Sequence, residues 1–443
     1  MRHLLLAALA VGVASASLLD AREASACGGC FAPPDNPSVV TDHRMILSIS
    51  KDQTTLYDQI RYQGDPASFA WVLPIRGTVT VGLSADVVFG TLDQLTRTQV
   101  QAPPRSCPPL NCRGNNFGSS APTDSAADAG TGVTINKQEV VGPYETVQLS
   151  ATDPAALKTW LATNGFNLPA DVEPVVAQYV NEKFDFLALK LLPGKGVSSM
   201  RPVRITTAGA AAALPLRMVA AGTGATVGIS LWIVAEGRYE PQNFPSFRIQ
   251  DSELVYDWAT QRSNYAELRA AKTAASQGRA WEMESSLQLS EYTIKNYIEN
   301  GGYVYNNGQP NKDYLPVEGP NPKTADQVRT EDLDTLFHGI NPADFRVTRM
   351  RADLAHAALA EDIAFVAPTD QSILTNFRQA AKATNEPACP TCGPGQDANG
   401  NPVGYGLCST GGTSFSQNEV GFGAIAMLGF VGFAFARRRR ARS

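Results

Sequence analysis

The stretch from Tyr144 to Leu192 constrains the fold more than any other part of the chain. Glu145 to Leu149 alternates apolar and polar side chains at the period of a strand. Asp153 then offers a capping carboxylate ahead of Pro154, whose missing N–H costs nothing at the first position of a helix. Leu157, Trp160 and Leu161 follow at i, i+3 and i+4, and Asn164-Gly165 supplies a stop. Val172, Val175, Val176, Tyr179 and Val180 repeat the helical spacing, and Phe184 to Leu192 returns to alternation. Strand, helix, tight turn, helix, strand is a unit that must bury one face against something else. It is expected to be the packed centre of the body, with Trp160 in its core. It holds no reactive constellation.

Both ends of the chain carry addressing signals. Arg2 and His3 open a basic start, Leu4 to Leu19 is apolar, and Ala24-Ser25-Ala26 offers a cleavage site after Ala26. Cleavage there leaves Cys27 first, which also admits a lipoprotein reading. At the other end, Val420 to Ala436 is apolar and uncharged, and Arg437, Arg438, Arg439, Arg440 and Arg442 follow at once. Arginines beside an apolar segment stay cytoplasmic, so this end predicts a membrane helix with its C-terminus inside. The expected organisation is a signal peptide over 1–26, an exported body over 27–385 and a linker rich in Pro, Gly and Cys over 386–419. A transmembrane or sorting helix over 420–436 and a cytoplasmic tail over 437–443 complete it. The partners this implies are the membrane and the export and sorting machinery. With a net charge of −5 despite those terminal arginines, the body is acidic, which argues against nucleic acid.

Six of the seven cysteines fall in close pairs: Cys27 with Cys30, Cys107 with Cys112, and Cys389 with Cys392. In an exported protein three local pairs favour disulfides, although six cysteines allow 15 connectivities. A four-thiolate zinc site from the first and third pairs has suitable spacing and stays open as an alternative. Redox chemistry fits poorly, because both pairs sit among Gly and Pro and not between a strand and a helix.

The rest of the body reads as mixed structure. A hairpin is expected over Val39–Arg61 with its turn at Lys51-Asp52-Gln53, and a strand over Phe69–Pro74 stopped by Pro74. A helix is expected over Ser84–Val100, with Ser84 as a possible cap, and a flexible insertion over 101–132. Strands follow over Arg201–Thr206, Leu214–Val219, Val227–Ala235 and Ala280–Leu289. Helices are expected over Asp251–Ser276 and Thr348–Leu359, then a strand over Ile363–Val366. The fold class predicted is α+β, with largely antiparallel sheets and helices packed on them.

Chemistry is sparse. His43, His338 and His356 lie in separate contexts, and no metalloprotease, nucleophile-elbow or phosphate-loop spacing occurs. Gly222 to Gly228 precedes a strand and reads as a turn. Asp397 to Asn401 resembles half a calcium loop without its later ligands. Glu331, Asp332 and Asp334 read as the start of a helix. No catalytic residue, cofactor or metal ligand is assigned. The function expected is a binding or structural module of the envelope, for a ligand or protein partner the sequence does not name. A hydrolase whose acidic residues converge in the fold is the rival.

Several stretches together resemble a bacterial envelope family, the domain of unknown function numbered 2330. They are Cys27 to Phe31, Phe69 to Pro74, the Tyr144–Leu192 block, Pro215 to Met218, Leu231 to Val234, Val347 to Arg351 and Leu359 to Asp362. The resemblance covers about Cys27 to Asn385 and implies no activity. The tail is similar to myxobacterial-type sorting signals, in which Cys408 would be the processing or lipidation point.

Overall fold

The computed structural model describes residues 30–31, 42–59, 70–105, 139–151, 153–163, 173–195, 199–220, 224–299, 313–318 and 321–389. Nearly all of these belong to one compact unit, made of 1–104 and 122–387. A second unit, 105–121 and 388–443, contributes Arg105, Ala388 and Cys389, and the Arg105 guanidinium donates to the Ala388 carbonyl at 2.9 Å.

The chain opens with β1 (Cys30–Phe31), the hairpin β2 (Asp42–Ile49) and β3 (Gln53–Gln59), then β4 (Ala70–Ile75) and β5 (Thr80–Leu83). Helix α1 (Asp86–Thr96) leads into β6 (Gln99–Gln101), β7 (Glu139–Val141) and β8 (Tyr144–Ser150). Helices α2 (Pro154–Thr163) and α3 (Glu173–Asn181) precede β9 (Asp185–Leu191), β10 (Val203–Ala208), β11 (Ala213–Leu214), the short α4 (Leu216–Val219) and β12 (Thr226–Glu236). After β13 (Glu240–Pro241), β14 (Ser246–Phe247), β15 (Val255–Asp257) and β16 (Arg262–Ser263) come α5 (Tyr265–Ala275) and β17 (Trp281–Leu287). Helices α6 (Glu291–Glu299) and α7 (Ala325–Phe337) lead to β18 (Phe345–Ala355), β19 (Ile363–Val366), β20 (Phe377–Gln379) and β21 (Lys382–Thr384).

Two sheets organise these elements. One has eight strands in the order β14-β17-β18-β12-β2-β3-β10-β5, antiparallel except at β12–β2 and β14–β17. The other has five strands in the order β1-β4-β9-β8-β7, all antiparallel. Alternation along the strands sorts side chains into layers. Met45, Leu47 and Ile49 of β2 and Ile229, Leu231 and Ile233 of β12 meet Trp71 and Leu73 of β4 and Leu187 and Leu189 of β9 in one core. That core therefore lies between the sheets. On the far face of the larger sheet, Ile46, Tyr57, Trp232 and Val347 pack against α1, α6 and α7. On the far face of the smaller one, Val72, Phe186 and Ala188 pack against α2 and α3. The result is four layers, helix–sheet–sheet–helix.

The mixed α+β architecture with mostly antiparallel sheets agrees with the sequence reading, and the early hairpin falls where it was expected. Asp153 does cap α2, accepting from the Ala155 and Ala156 amides at 3.2 and 3.1 Å. Other expectations change. Tyr144–Leu191 is an outer sheet with its two helices, not the centre; the centre is β12, flanked by β2 and β18. Trp160 is only partly buried. Residues 345–355 form strand β18, not a helix. Ala352 and Leu354 are good helix formers, but β18 pairs with β12 along eleven residues, and that tertiary pairing overrides local propensity. Leu214–Val219 holds a two-residue strand and a turn of helix. Residues 251–276 divide into β15, β16 and α5 because β15 finds a parallel partner in the distant β21. β4 runs through Pro74 to Ile75. It tolerates the proline because β1 covers only Ala70 and Trp71, leaving the rest an edge strand.

One glycine is required by the close approach of two strands' ends. Gly278 has φ +68, and a Cβ there would lie 2.7 Å from the Ala355 Cβ. Both the left-handed backbone and the crowding exclude a larger residue.

The expectations for the ends and the cysteines also need correction. Among the described residues no helix is long and apolar enough to cross a membrane. The longest, α7, has 13 residues, about 20 Å against a hydrocarbon core of about 30 Å. Residues 1–26 with Ala26, Cys408, the apolar segment 420–436 and Arg437 to Arg440 lie outside the described residues. A membrane tether and a single-pass topology are therefore unsupported and are dropped. Most of the 101–132 insertion is likewise outside. Of the paired cysteines, Cys30 stands in β1 and Cys389 is disulfide-bonded, while Cys27, Cys107, Cys112 and Cys392 lie outside. The framework of three local disulfides does not hold as a finding.

Candidate functional site

The layered packing buries charge in several clusters, two of which arise where a strand's polar residue points into a helix layer. β17 turns Glu282 and Glu284 to the same side. The Glu284 carboxylate takes a charge-assisted hydrogen bond from Arg349 Nε on β18, and Arg349 Nη1 reaches Asp93 Oδ1 on α1 at 2.7 Å. Arg349 lies over the Trp232 ring at 5.2 Å and Arg44 over it at 5.3 Å. Burial works against the Arg349 charge, but Glu284 and Asp93 together hold its pKa above the ordinary value. Glu282 accepts from the Tyr265 hydroxyl of α5; burial and then Glu284 push its carboxyl up to about 7.

A second cluster joins α7 to the edge of the larger sheet. Asp332 is buried and accepts from Ser84 Oγ and Tyr314 Oη, each at 2.7 Å, while Arg204 Nη1 stands 3.7 Å away. Arg204 also pairs with Glu331 and Lys323 closes on the same carboxylate. Burial outweighs these partners and raises the Asp332 carboxyl to about 6. Glu331, Asp332 and Asp334 thus lie within α7 and not at its start, which Thr324 and Gln327 close as a capping box. Ser84 caps no helix; its hydroxyl is spent on Asp332. Arg217 forms a third closed set, bonded to Glu182 and Asp362 at 2.7 Å each and stacked over Tyr179.

Between the sheets, His43 Nδ1 and Asp58 Oδ1 face each other at 4.0 Å beside a cavity of about 20 Å³, room for a single water. Its walls include Leu56, Trp71, Leu73, Leu214 and Met218. In this apolar setting burial pushes His43 down to about 4 and Asp58 up to about 7. Asp58 retains protons that the unfolded chain loses above 3.8, so its contribution to stability falls as pH rises towards 7. His43 acts oppositely between about 4 and 6.5, where the unfolded chain binds the extra proton and stability rises with pH. Asp58→Asn removes the first effect and keeps the second. Urea denaturation should show the variant gaining on the parent from pH 4 to pH 8, by roughly 2–4 kcal/mol at the upper end. Parallel stability curves for the two proteins would contradict this account.

Among the described residues, the concavities open to solvent include two larger ones. The larger, about 590 Å³, is lined by Asp257, Thr260, Arg262, Asn264 and Glu267 around the β15–β16 turn. Asp257 spends both carboxylate oxygens there, accepting from Asn385 Nδ2 and the Ala259 amide on one and from Thr260 Oγ1 on the other. These bonds, the Asn385 one first, lower its pKa. The second, about 300 Å³, lies between residues 248–252 and 375–378. Arg248 and Arg378 line it. Arg378 is 2% exposed and gives its two terminal nitrogens to the Thr375 and Glu284 carbonyls, at 2.7 and 2.8 Å. Arg248 donates to the Thr375 carbonyl at 3.2 Å. Burial lowers the pKa of both guanidinium groups.

Of the residues singled out in the sequence, His338 ends α7 and His356 begins a 3₁₀ turn, apart from His43 and from each other. Among the described residues no group of three His, Cys, Asp or Glu could hold a metal ion. The half calcium loop at 397–401 lies outside them. Sequence reasoning missed Glu282, Glu284, Arg349, Arg248 and Arg378. For Glu282, Glu284 and Arg349 the signal available was the alternation of charged with apolar residues along 281–287 and 345–355, which is unusual for strands buried on both faces; Arg248 and Arg378 carried none.

The class so defined is a four-layer α+β body with four buried carboxylates and an arginine-lined recess at its surface. Residues 21–366 match the family described as an uncharacterized protein conserved in bacteria, DUF2330. The chain belongs to that family. No curated protein and no solved structure matches it. The family match stops at residue 366, before Cys408 and the tail, and the resemblance of that tail to a sorting signal finds no support.

Proposed function

We propose that the chain is a binding protein and not a hydrolase. The observation that carries this reading is the separation of perturbed acidity from access. Asp58, Glu282 and Asp332 have the raised pKa values a general acid needs, yet all three are buried, and the cavity beside Asp58 has room for a single water. Asp257 and Glu267 border an open groove, but Asp257 is held below its ordinary pKa and its oxygens are occupied by a turn. Acid–base hydrolysis needs both properties in one place. The full chain, assayed with chromogenic phosphate, ester and glycoside substrates, should show no turnover above the buffer rate. Turnover that Glu267→Gln abolishes would overturn the reading in favour of the rival hydrolase.

A further inference from the structure

The recess between residues 248–252 and 375–378 has the attributes of an anion site. Two guanidinium groups line it, and neither Arg248 nor Arg378 makes an ion pair among the described residues, whereas Arg204, Arg217, Arg238 and Arg349 all do. The hydrogen bonds of both go to main-chain carbonyls, and the Asp251, Glu282 and Glu284 carboxylates act on the Arg378 charge without forming an ion pair with it. Arg378 Nε is buried with no hydrogen-bond partner. Burial still outweighs those carboxylates at Arg378, so an anion approaching from the open side would offset a cost they leave. Ser252 and Gln250 add polar groups at the rim.

The recess is also too large and too apolar on one side for a bare inorganic ion. Its volume of about 300 Å³ is at the lower end of the range for small-molecule sites. Ile249 forms part of the wall, and Phe377 is 49% exposed at its mouth, one of the few large apolar side chains of the described body left in water. An exposed aromatic beside two arginines that form no ion pair among the described residues matches a ligand with one anionic end and one flat apolar part. We infer that this recess binds a small organic anion, its phosphate or carboxylate held by Arg248 and Arg378 and its ring or apolar tail laid against Phe377. This rests on the reading of the chain as a binding protein.

Asp251 sharpens the test. Its side chain is exposed on the rim, and its charge acts on both arginines without an ion pair to either. It therefore opposes an incoming anion. Phenyl phosphate and inorganic phosphate titrated calorimetrically into the full chain at low salt should each bind at one site, phenyl phosphate about tenfold tighter. Arg248→Gln should weaken both by tenfold or more, Phe377→Ala should remove the preference for phenyl phosphate alone, and Asp251→Asn should tighten both several-fold. Added salt should weaken both. Absence of saturable binding, or binding indifferent to Arg248→Gln and Asp251→Asn, would overturn the site. Equal affinity for the two probes would overturn the apolar half of the assignment. Release of phosphate from phenyl phosphate would overturn the binding-protein reading while leaving the site standing. Arg248 and Phe377 are both partly exposed, so their variants test the site without removing a buried core residue.

Discussion

Arg349→Met is expected to lower the stability of the fold by about 3–5 kcal/mol, because it leaves the buried Glu284 carboxylate without its guanidinium. Arg349 is 5% exposed and Glu284 4%, so water cannot replace the lost partner at either end. Asp93 on α1 loses the same partner, though it is partly solvated and should contribute less. The methionine keeps an aliphatic stem on the Trp232 ring, which confines the loss mainly to charge. Arg349→Met combined with Glu284→Leu should therefore recover most of the deficit, since a buried pair replaced on both sides by apolar groups is often neutral. Urea denaturation of the parent, the single variant and the double variant decides this. A single variant within roughly 1 kcal/mol of the parent would show that the pair is not closed from solvent.

Trp232→Ala should cost as much or more, towards the upper end of about 3–5 kcal/mol for the largest truncations. Trp232 is fully buried on β12, the strand with the longest pairings on both sides. Its ring meets Phe89 edge-on at 6.3 Å, its Nε1–H donates to Thr96 Oγ1 at 2.9 Å, and Arg44 and Arg349 lie over it. Truncation opens a cavity, removes the hydrogen bond and strips both guanidinium groups of the ring. Trp232→Phe refills most of the volume and lacks only the N–H, so it should cost about 1–2 kcal/mol. Since Trp232 and Arg349 touch, combining Trp232→Ala with Arg349→Met should cost less than the two separately. Strict additivity in thermal melts would argue against the stacked arrangement.

How much of this was legible in the sequence differs between elements. The β2–β3 hairpin and the unit from Tyr144 to Leu191 could be read because their signals are local: alternation, a capping Asp before Pro, a turn between two strands. β18 could not. Its residues carry helical propensity, and only the eleven-residue register with β12 fixes it as a strand. The same holds for β15, whose partner β21 lies far along the chain. The site was less visible still. Glu284 meets Arg349 across a strand pair, and Arg248 and Arg378 line one recess across 130 residues of chain, so no spacing marks either. Asp332 stands in an acidic run, but its partners Ser84, Tyr314 and Arg204 come from three separate parts of the chain.

By itself the sequence determined the α+β class, the local units and the absence of any contiguous catalytic or phosphate-binding motif, because propensity, capping and periodicity act within a few residues. It could not determine that the Tyr144–Leu191 unit is the outer of two stacked sheets, that the Asp58, Glu282, Glu284 and Asp332 carboxylates are shut away from solvent, or that two arginines without ion pairs share an open recess. Those depend on which strand pairs with which. Strand pairing is decided by burial summed over the whole body, a quantity no short stretch of sequence contains.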